Sequence, residues 1–353
     1  MQSATQLALS LTEKGLIPDH FVRAGIRRLC KARLLEIRSE EGVGGEKVLE
    51  RFIAQMDSAP IALVPKLANE QHYEVPPGFY TKVLGRHLKY SCCYWEDGVT
   101  ALNEAETESL RLTCENADLQ DGQHILELGC GWGSLTLWMA RHYPKSKIVA
   151  VSNSYSQRTF IMQQARDRGL DNLEVITSDM NAFGTDRKFD RVVSVEMFEH
   201  MRNWRLLFAR VHDWLRPGGR FFMHVFCHRG TPYAFEEKDA SDWMSRYFFT
   251  GGMMPSTDLA PRFQDDLRLV RQWGWDGTHY AKTANAWLEN LDANRFAILP
   301  VFRELYGMER ADAWFERWRI FFMACAELFG YSGGKEWGVS HYLFERSPPR
   351  AAG

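Results

Sequence analysis

The feature that most constrains this chain is a short apolar run, Ile125-Leu126-Glu127-Leu128, which stops abruptly at Gly129-Cys130-Gly131-Trp132-Gly133. A helical pattern over 134–142 follows at once. Glycine permits backbone conformations and close approaches that a Cβ forbids. Three of them at alternate positions between a strand and a helix mark a place where the backbone meets something else. Further strands are predicted over 147–151, 173–177, 189–195 and 220–225, with helices over 156–168 and 204–215 between them and Pro217-Gly218-Gly219 as a turn. Crossovers of that length are right-handed and join parallel strands. The fold class is therefore α/β, a doubly wound, mostly parallel sheet of Rossmann-like form. Its ligand belongs beyond the carboxyl ends of the strands, where the strand order reverses.

Before residue 101 the spacing is helical. A short amphipathic piece closes at 12–16, and a longer one opens at Pro18-Asp19 with Phe21, Ile26, Leu29 and Leu34 at helical intervals up to Ile37. Its other side carries Arg23, Arg27, Arg28, Lys31 and Arg33, a face suited to solvent or to acidic lipid. A third helix is predicted over 47–56, and 60–77 reads as irregular. Residues 1–100 thus form a helical cap region and 101–353 the main domain. Within it the alternation stops over 230–280, where Tyr247-Phe248-Phe249 and Gly251-Gly252-Met253-Met254-Pro255 predict a substrate lid. Helices over 284–306 and 311–329 and a strand over 339–344 complete the pattern.

Composition narrows the partners. A formal net charge of −2 gives no electrostatic reason to expect nucleic acid. Seven cysteines without a C-x-x-C pair read as free thiols of a reducing compartment, with neither a disulfide framework nor a metal site. The chain opens without a basic leader, and no apolar run reaches membrane-spanning length. A cytoplasmic location without stable membrane insertion is expected, with a homodimer as the assembly considered. The 12 Trp, 12 Tyr and 22 Phe fit either an enclosed apolar or cationic ligand or a rich core.

A dinucleotide-binding loop would read G-x-G-x-x-G, with an acid closing the second strand. This one reads Glu127-x-Gly129-x-Gly131-x-Gly133, with Ser134 where the third dinucleotide glycine would stand. That form resembles the loop of class I methyltransferases, which makes S-adenosyl-L-methionine the expected cofactor. The second strand ends in Val151-Ser152-Asn153 and lacks the usual acid. Ser152, Asn153 and Gln157 can donate and accept in its place, and Asp179 is placed to accept from the adenine amino group.

Longer motifs resemble the cyclopropane-fatty-acyl-phospholipid synthase superfamily: Tyr90-Ser91-Cys92-Cys93-Tyr94-Trp95, Leu102-x-Glu104-Ala105-Glu106, and Phe189 through Glu196-Met-Phe-Glu199-His200. Within it the chain is most similar to the plant coclaurine N-methyltransferase type, through Cys92-Cys93, Cys227-His228, Trp287-Leu-x-x-Leu-Asp-Ala-Asn294 and Glu327-Leu-Phe-Gly-Tyr331. The resemblance implies that Tyr90 and Ser91 close over the methionine end of the cofactor. It implies further that Glu199 and His200 face an acceptor amine, that Glu196 supports them, and that Glu74 anchors a cationic substrate.

The residues agree with that chemistry. Methyl transfer from a sulfonium is an in-line displacement, so the protein supplies position and proton handling. An aliphatic amine attacks only when neutral, which calls for a base of the Glu or His kind. The alternative is carbon methylation or cyclopropanation of an unsaturated acyl lipid. The superfamily's cyclopropane members use bicarbonate as base, held by a Cys backbone, Glu, His and Tyr. The matching positions here are Cys92, Glu199, His224 and Tyr280.

Overall fold

The computed structural model describes residues 4–42, 44–63, 75–237 and 242–348. Its strands, in chain order, are β1 His124–Leu128, β2 Lys147–Ser152, β3 Leu173–Thr177, β4 Phe189–Val195, β5 Leu215–His228, β6 Tyr233–Ala234, β7 Met253–Met254, β8 Leu267–Asp276 and β9 Trp337–Arg346. Seven of them form one sheet in the order β3-β2-β1-β4-β5-β9-β8, while β6 and β7 pair antiparallel in a separate two-stranded sheet. The first five strands run parallel, and β9 is antiparallel to both β5 and β8. The order reverses between β1 and β4, which opens a crevice at their carboxyl ends.

Side-chain alternation explains why both faces are covered. Leu126, Leu128, Val149, Val151 and Val192 face one way and pack on Trp204, Leu207, Phe208 and Val211 of the helix Trp204–Trp214. Ile125, Ile148, Ala150 and Val193 face the other way, against Leu135, Met139 and Ile161. Strands buried on both faces read as continuous apolar runs, as β1 does.

The N-terminal helices are built into these cores. Leu49, Phe52 and Met56 of the helix Gly45–Asp57 join the cluster of the helix Trp204–Trp214. The helix Asp19–Glu41 lies on Ala311–Phe329, where Arg23 and Arg27 grip the two oxygens of Glu327 at 2.9 and 2.7 Å. Its basic side is therefore partly a docking face, and Arg28 and Lys31 alone of the five are fully exposed without an ion pair among the described residues. Of the apolar residues expected to face inward, Phe21 and Leu29 are exposed, and Leu34 and Ile37 are buried.

Three expectations need correction. The 230–280 segment ends in β8, an edge strand paired along its length with β9. Its Arg268, Arg271 and Gln272 face water, so the strand reads as polar loop in sequence. Helix 284–306 is two helices, Gly277–Ala293 and Arg295–Tyr306. The first starts early because Asp276 caps it, accepting from the Thr278 N–H at 2.8 Å. Finally, Pro217-Gly218-Gly219 lies inside β5, whose register against β4 shifts at Arg191.

Gly277 seats that helix against the sheet. A Cβ there would lie 2.0 Å from the Phe329 carbonyl and 2.2 Å from that of Trp337, both backbone atoms. Gly277→Ala should therefore cost about 1–3 kcal/mol or more of folding stability through overpacking, read as a lower denaturation midpoint. An unchanged midpoint would contradict this seating.

Candidate active site

The crevice holds a cavity of about 1230 Å³, part of it open to solvent. It is lined by Tyr90, Ser91, Glu127, Gly129, Gly131, Ser152, Asn153, Gln157 and Asp179, together with Glu196 and His200. Nine of the ten predicted cofactor residues thus meet in one place. The tenth, Gly133, does not line this cavity. It starts the next helix at φ +82°, and a Cβ on it would strike Ile161 at 2.7 Å. Gly129 is similar, since its Cβ would meet Met197 at 2.6 Å. Only Gly131 leaves open space where a side chain would go.

Among the described residues, Ser134 Oγ and Gln157 Nε2 are buried polar atoms of the lining without a hydrogen-bond partner, as are Thr113 Oγ1 and Trp132 Nε1. Orphaned groups of this kind are costly unless a ligand completes them. Gln157 is already oriented, because Ser152 Oγ donates to its Oε1 at 2.6 Å. Asp179 accepts from the Asn181 N–H at 2.8 Å, which fixes the turn after β3. Burial pushes the Glu127 carboxyl up to about 7, opposed by the Thr136 hydroxyl that donates to it. These residues suit a polar ligand with an adenosine part and a charged tail.

The other end of the cavity is organised by carboxylates. Glu196 follows β4 at φ +48°, a left-handed conformation that costs a non-glycine residue about 1–2 kcal/mol. Its carboxylate receives the Cys92 N–H at 2.9 Å and the Tyr280 hydroxyl at 2.7 Å, and His224 Nε2 lies 3.1 Å from it. Burial raises the Glu196 pKa, opposed by the Lys89 ammonium, the Cys92 N–H and Tyr280. Backbone strain kept at a site commonly serves its function, and here it delivers the carboxylate to two donors and an imidazole from separate elements.

Glu199 is placed differently. It is fully buried, its Oε1 accepts from the Phe226 N–H at 2.7 Å, and its Oε2 has no partner among the described residues. Burial and then the neighbouring Glu196 push its carboxyl well above the usual range, which favours the neutral acid. The expected cradle of Cys92, Glu199, His224 and Tyr280 is therefore not assembled as such. The Glu196 carboxylate takes the contacts of three of its members, the Cys92 N–H, His224 and the Tyr280 hydroxyl, which a bound bicarbonate would need. His200 lines the cavity and stacks on Phe249 at 4.5 Å, and Thr250 lines the same cavity. Glu74 lies outside the described residues.

Lys89 carries no role in the sequence reading, yet it is buried and lines the cavity. Its Nζ donates to Ser91 Oγ and to the Cys92 carbonyl, both at 2.6 Å. The loop bearing it wraps around Glu106, whose buried carboxylate accepts from the N–H groups of Gly85, His87 and Lys89. The only sequence signal for Lys89 was its place beside Tyr90. A charged residue within an apolar motif is worth attention because full burial of Lys is rare without partners.

Fold and cavity together define a class I methyltransferase. The model of the mycolic acid cyclopropane synthetase family matches residues 65–333, and the chain belongs to that family. It is 38% identical to (S)-coclaurine N-methyltransferase of Thalictrum flavum subsp. glaucum, over 96% of this chain and 95% of that one. It is also 30% identical to cyclopropane-fatty-acyl-phospholipid synthase of Escherichia coli (strain K12), over 77% of this chain and 67% of the other. Among solved structures it is similar to coclaurine N-methyltransferase bound to N-methylheliamine and SAH, with a TM-score of 0.93, 36% identity, and 96% and 99% of the two chains covered. The chain is an S-adenosyl-L-methionine-dependent methyltransferase, in agreement with the cavity.

The glycine geometry separates binding from folding. Gly131→Val should abolish cofactor binding in calorimetry at a folding cost of about 1–2 kcal/mol from the left-handed backbone. Gly133→Ala should instead lower the thermal midpoint through its clash with Ile161. Wild-type cofactor affinity in Gly131→Val would remove the loop from the site.

Proposed function

We propose that this enzyme methylates the nitrogen of a small-molecule amine, a secondary amine of the tetrahydroisoquinoline or benzylisoquinoline kind. The observation that carries the reading is Glu196, whose carboxylate occupies the cradle of Cys92 N–H, His224 and Tyr280. Cyclopropanation needs a base for a C–H proton, and in the resembling synthases bicarbonate is that base. A fixed carboxylate in the cradle leaves that route without its base. An amine asks for something else, a site that favours the neutral nucleophile and takes up its proton.

When bound, the cofactor supplies an electrophilic methyl group on a sulfonium. The loop Gly129–Gly133 with Ser134, Ser152, Asn153, Gln157 and Asp179 would hold its adenosine part, and Tyr90, Ser91 and Lys89 its amino-acid end. His200 on the cavity wall would accept the proton of the acceptor amine. Glu196 would stabilise the cation this creates, at a distance that a low local dielectric makes effective. Glu199, as a buried neutral acid, would hold the turn that carries His200. Phe249 and Thr250 cover this end, so the lid role falls to the neighbourhood of 247–254, and not to all of 230–280. The similarity to coclaurine N-methyltransferases favours the same acceptor class. No helix among the described residues is long and apolar enough to cross a membrane. A cytosolic setting accords with seven free thiols.

The reaction is tested with trideuteriomethyl cofactor and heliamine or coclaurine as acceptor. Transfer to nitrogen keeps all three deuterons, whereas ring closure on an acyl alkene expels one. Product retaining only two deuterons, or turnover only with acyl lipid, would overturn the reading. His200→Ala and Glu196→Gln should each lower turnover by about 10²–10⁴-fold, and the His200→Ala loss should shrink as pH rises and solvent supplies neutral amine. Glu199→Gln, which keeps the neutral hydrogen-bonding shape, should lose less than Glu199→Ala.

A further inference from the structure

Behind Glu196 runs a line of hydrogen-bonding groups that crosses two sheet strands and ends on the helix Leu102–Asn116. His224 on β5 and His341 on β9 are direct cross-strand partners, and both imidazoles are fully buried. His224 Nε2 lies 3.1 Å from Glu196 Oε1, His341 Nε2 lies 3.0 Å from His224 Nδ1, and Asn116 Nδ2 lies 3.3 Å from His341 Nδ1. Trp275 packs edge-on against both rings, at 5.5 and 4.3 Å, and keeps water from them.

Chemistry allows one consistent arrangement of protons. A neutral imidazole has one donor and one acceptor nitrogen, and burial holds both rings well below their usual pKa, in the neutral form. If Asn116 donates to His341 Nδ1, then His341 must carry its proton on Nε2 and donate to His224 Nδ1. His224 must then carry its own on Nε2 and donate to Glu196. We propose that His341, held by Asn116, is a positioning residue that locks His224 in the Nε2–H tautomer and so keeps Glu196 an ionised carboxylate. This rests on the reading that Glu196 acts as an anion in the reaction.

The lock matters because Glu196 is poised. The groups that bear on its charge are Lys89, Cys92, Cys93 and Glu199 around β4, Tyr280 on the helix Gly277–Ala293, Cys325 on the helix Ala311–Phe329, and His224. Burial already favours the protonated acid, and the reverse tautomer of His224 would offer Glu196 a lone pair and favour it further. A hydrogen-bond donor is thereby exchanged for an acceptor at one oxygen, with no change in total charge.

The experiment labels histidine alone with ¹⁵N and reads the imidazole shifts of the protein saturated with SAH. His224 and His341 should each show a pyrrole-type Nε2 and a pyridine-type Nδ1, unchanged across neutral pH. His341→Gln, whose amide can still donate to His224 Nδ1, should preserve the His224 pattern, while His341→Phe should move His224 toward the Nδ1–H form. With heliamine as acceptor, the acid limb of kcat/KM carries the ionisations of His200 and the amine as well as that of the Glu196 carboxylate, and it is the carboxylate that responds to the tautomer of His224. The limb should rise by about one to two pH units in His341→Phe and return in His341→Gln. An Nδ1–H form of His224 in the wild type, or an acid limb that stays in place in His341→Phe, would overturn the proposal. The spectra decide it even if no amine is turned over, so its failure is distinct from failure of the amine reading.

Discussion

A single buried carboxylate ties the structure together. Glu196 draws the Cys92 loop, β5 and the helix Gly277–Ala293 to one point through three contacts. Such a charge is tolerated inside a protein only when it is well paired, since desolvation costs several kcal/mol per ion. Here the compensation comes from fixed donors and from the Lys89 ammonium. The loop carrying both Lys89 and Cys92 is itself shaped by a second buried carboxylate, Glu106, under Gly85, His87 and Lys89. On the proposed reading, the cofactor end and the acceptor end share one electrostatic scaffold. Loss of either carboxylate would loosen both.

On the proposed reading, the same arrangement would account for how related folds serve different reactions. The Cys92 N–H, the His224 ring and the Tyr280 hydroxyl form a receptor for a flat anion. What fills the receptor decides the available base. A diffusible anion there would be a free base, whereas a side chain tethered at φ +48° is a fixed charge. A fixed anion beside a sulfonium site favours a cationic product over a carbocation that must lose a proton to a mobile base.

Much of this was legible in the sequence. The β1 run and its glycines located the crevice because glycine spacing reports backbone conformation directly, and β3 and β4 fall within the predicted bounds. What escaped depends on contacts between distant segments. The exposed polar side of β8 hides its pairing with β9. Phe21 and Leu29 share the helical period of the buried residues yet face water, because periodicity does not say which of two stripes meets the core. Glu196 and Glu199 stand three residues apart in one motif, and only the left-handed turn at Glu196 separates their fates. His341 has no local pattern, and it gains meaning solely from the β5–β9 register.

The central claim is that Glu196 occupies the place of a bound anion, and chemical rescue tests it most directly. Glu196→Gly suits the left-handed backbone and empties the cradle without strain. Methylation of heliamine by the wild type should be indifferent to added bicarbonate or formate, whereas Glu196→Gly should lose activity and regain part of it with either anion in a saturable manner. Dependence of the wild type on bicarbonate, or full activity of the variant without any anion, would contradict the account.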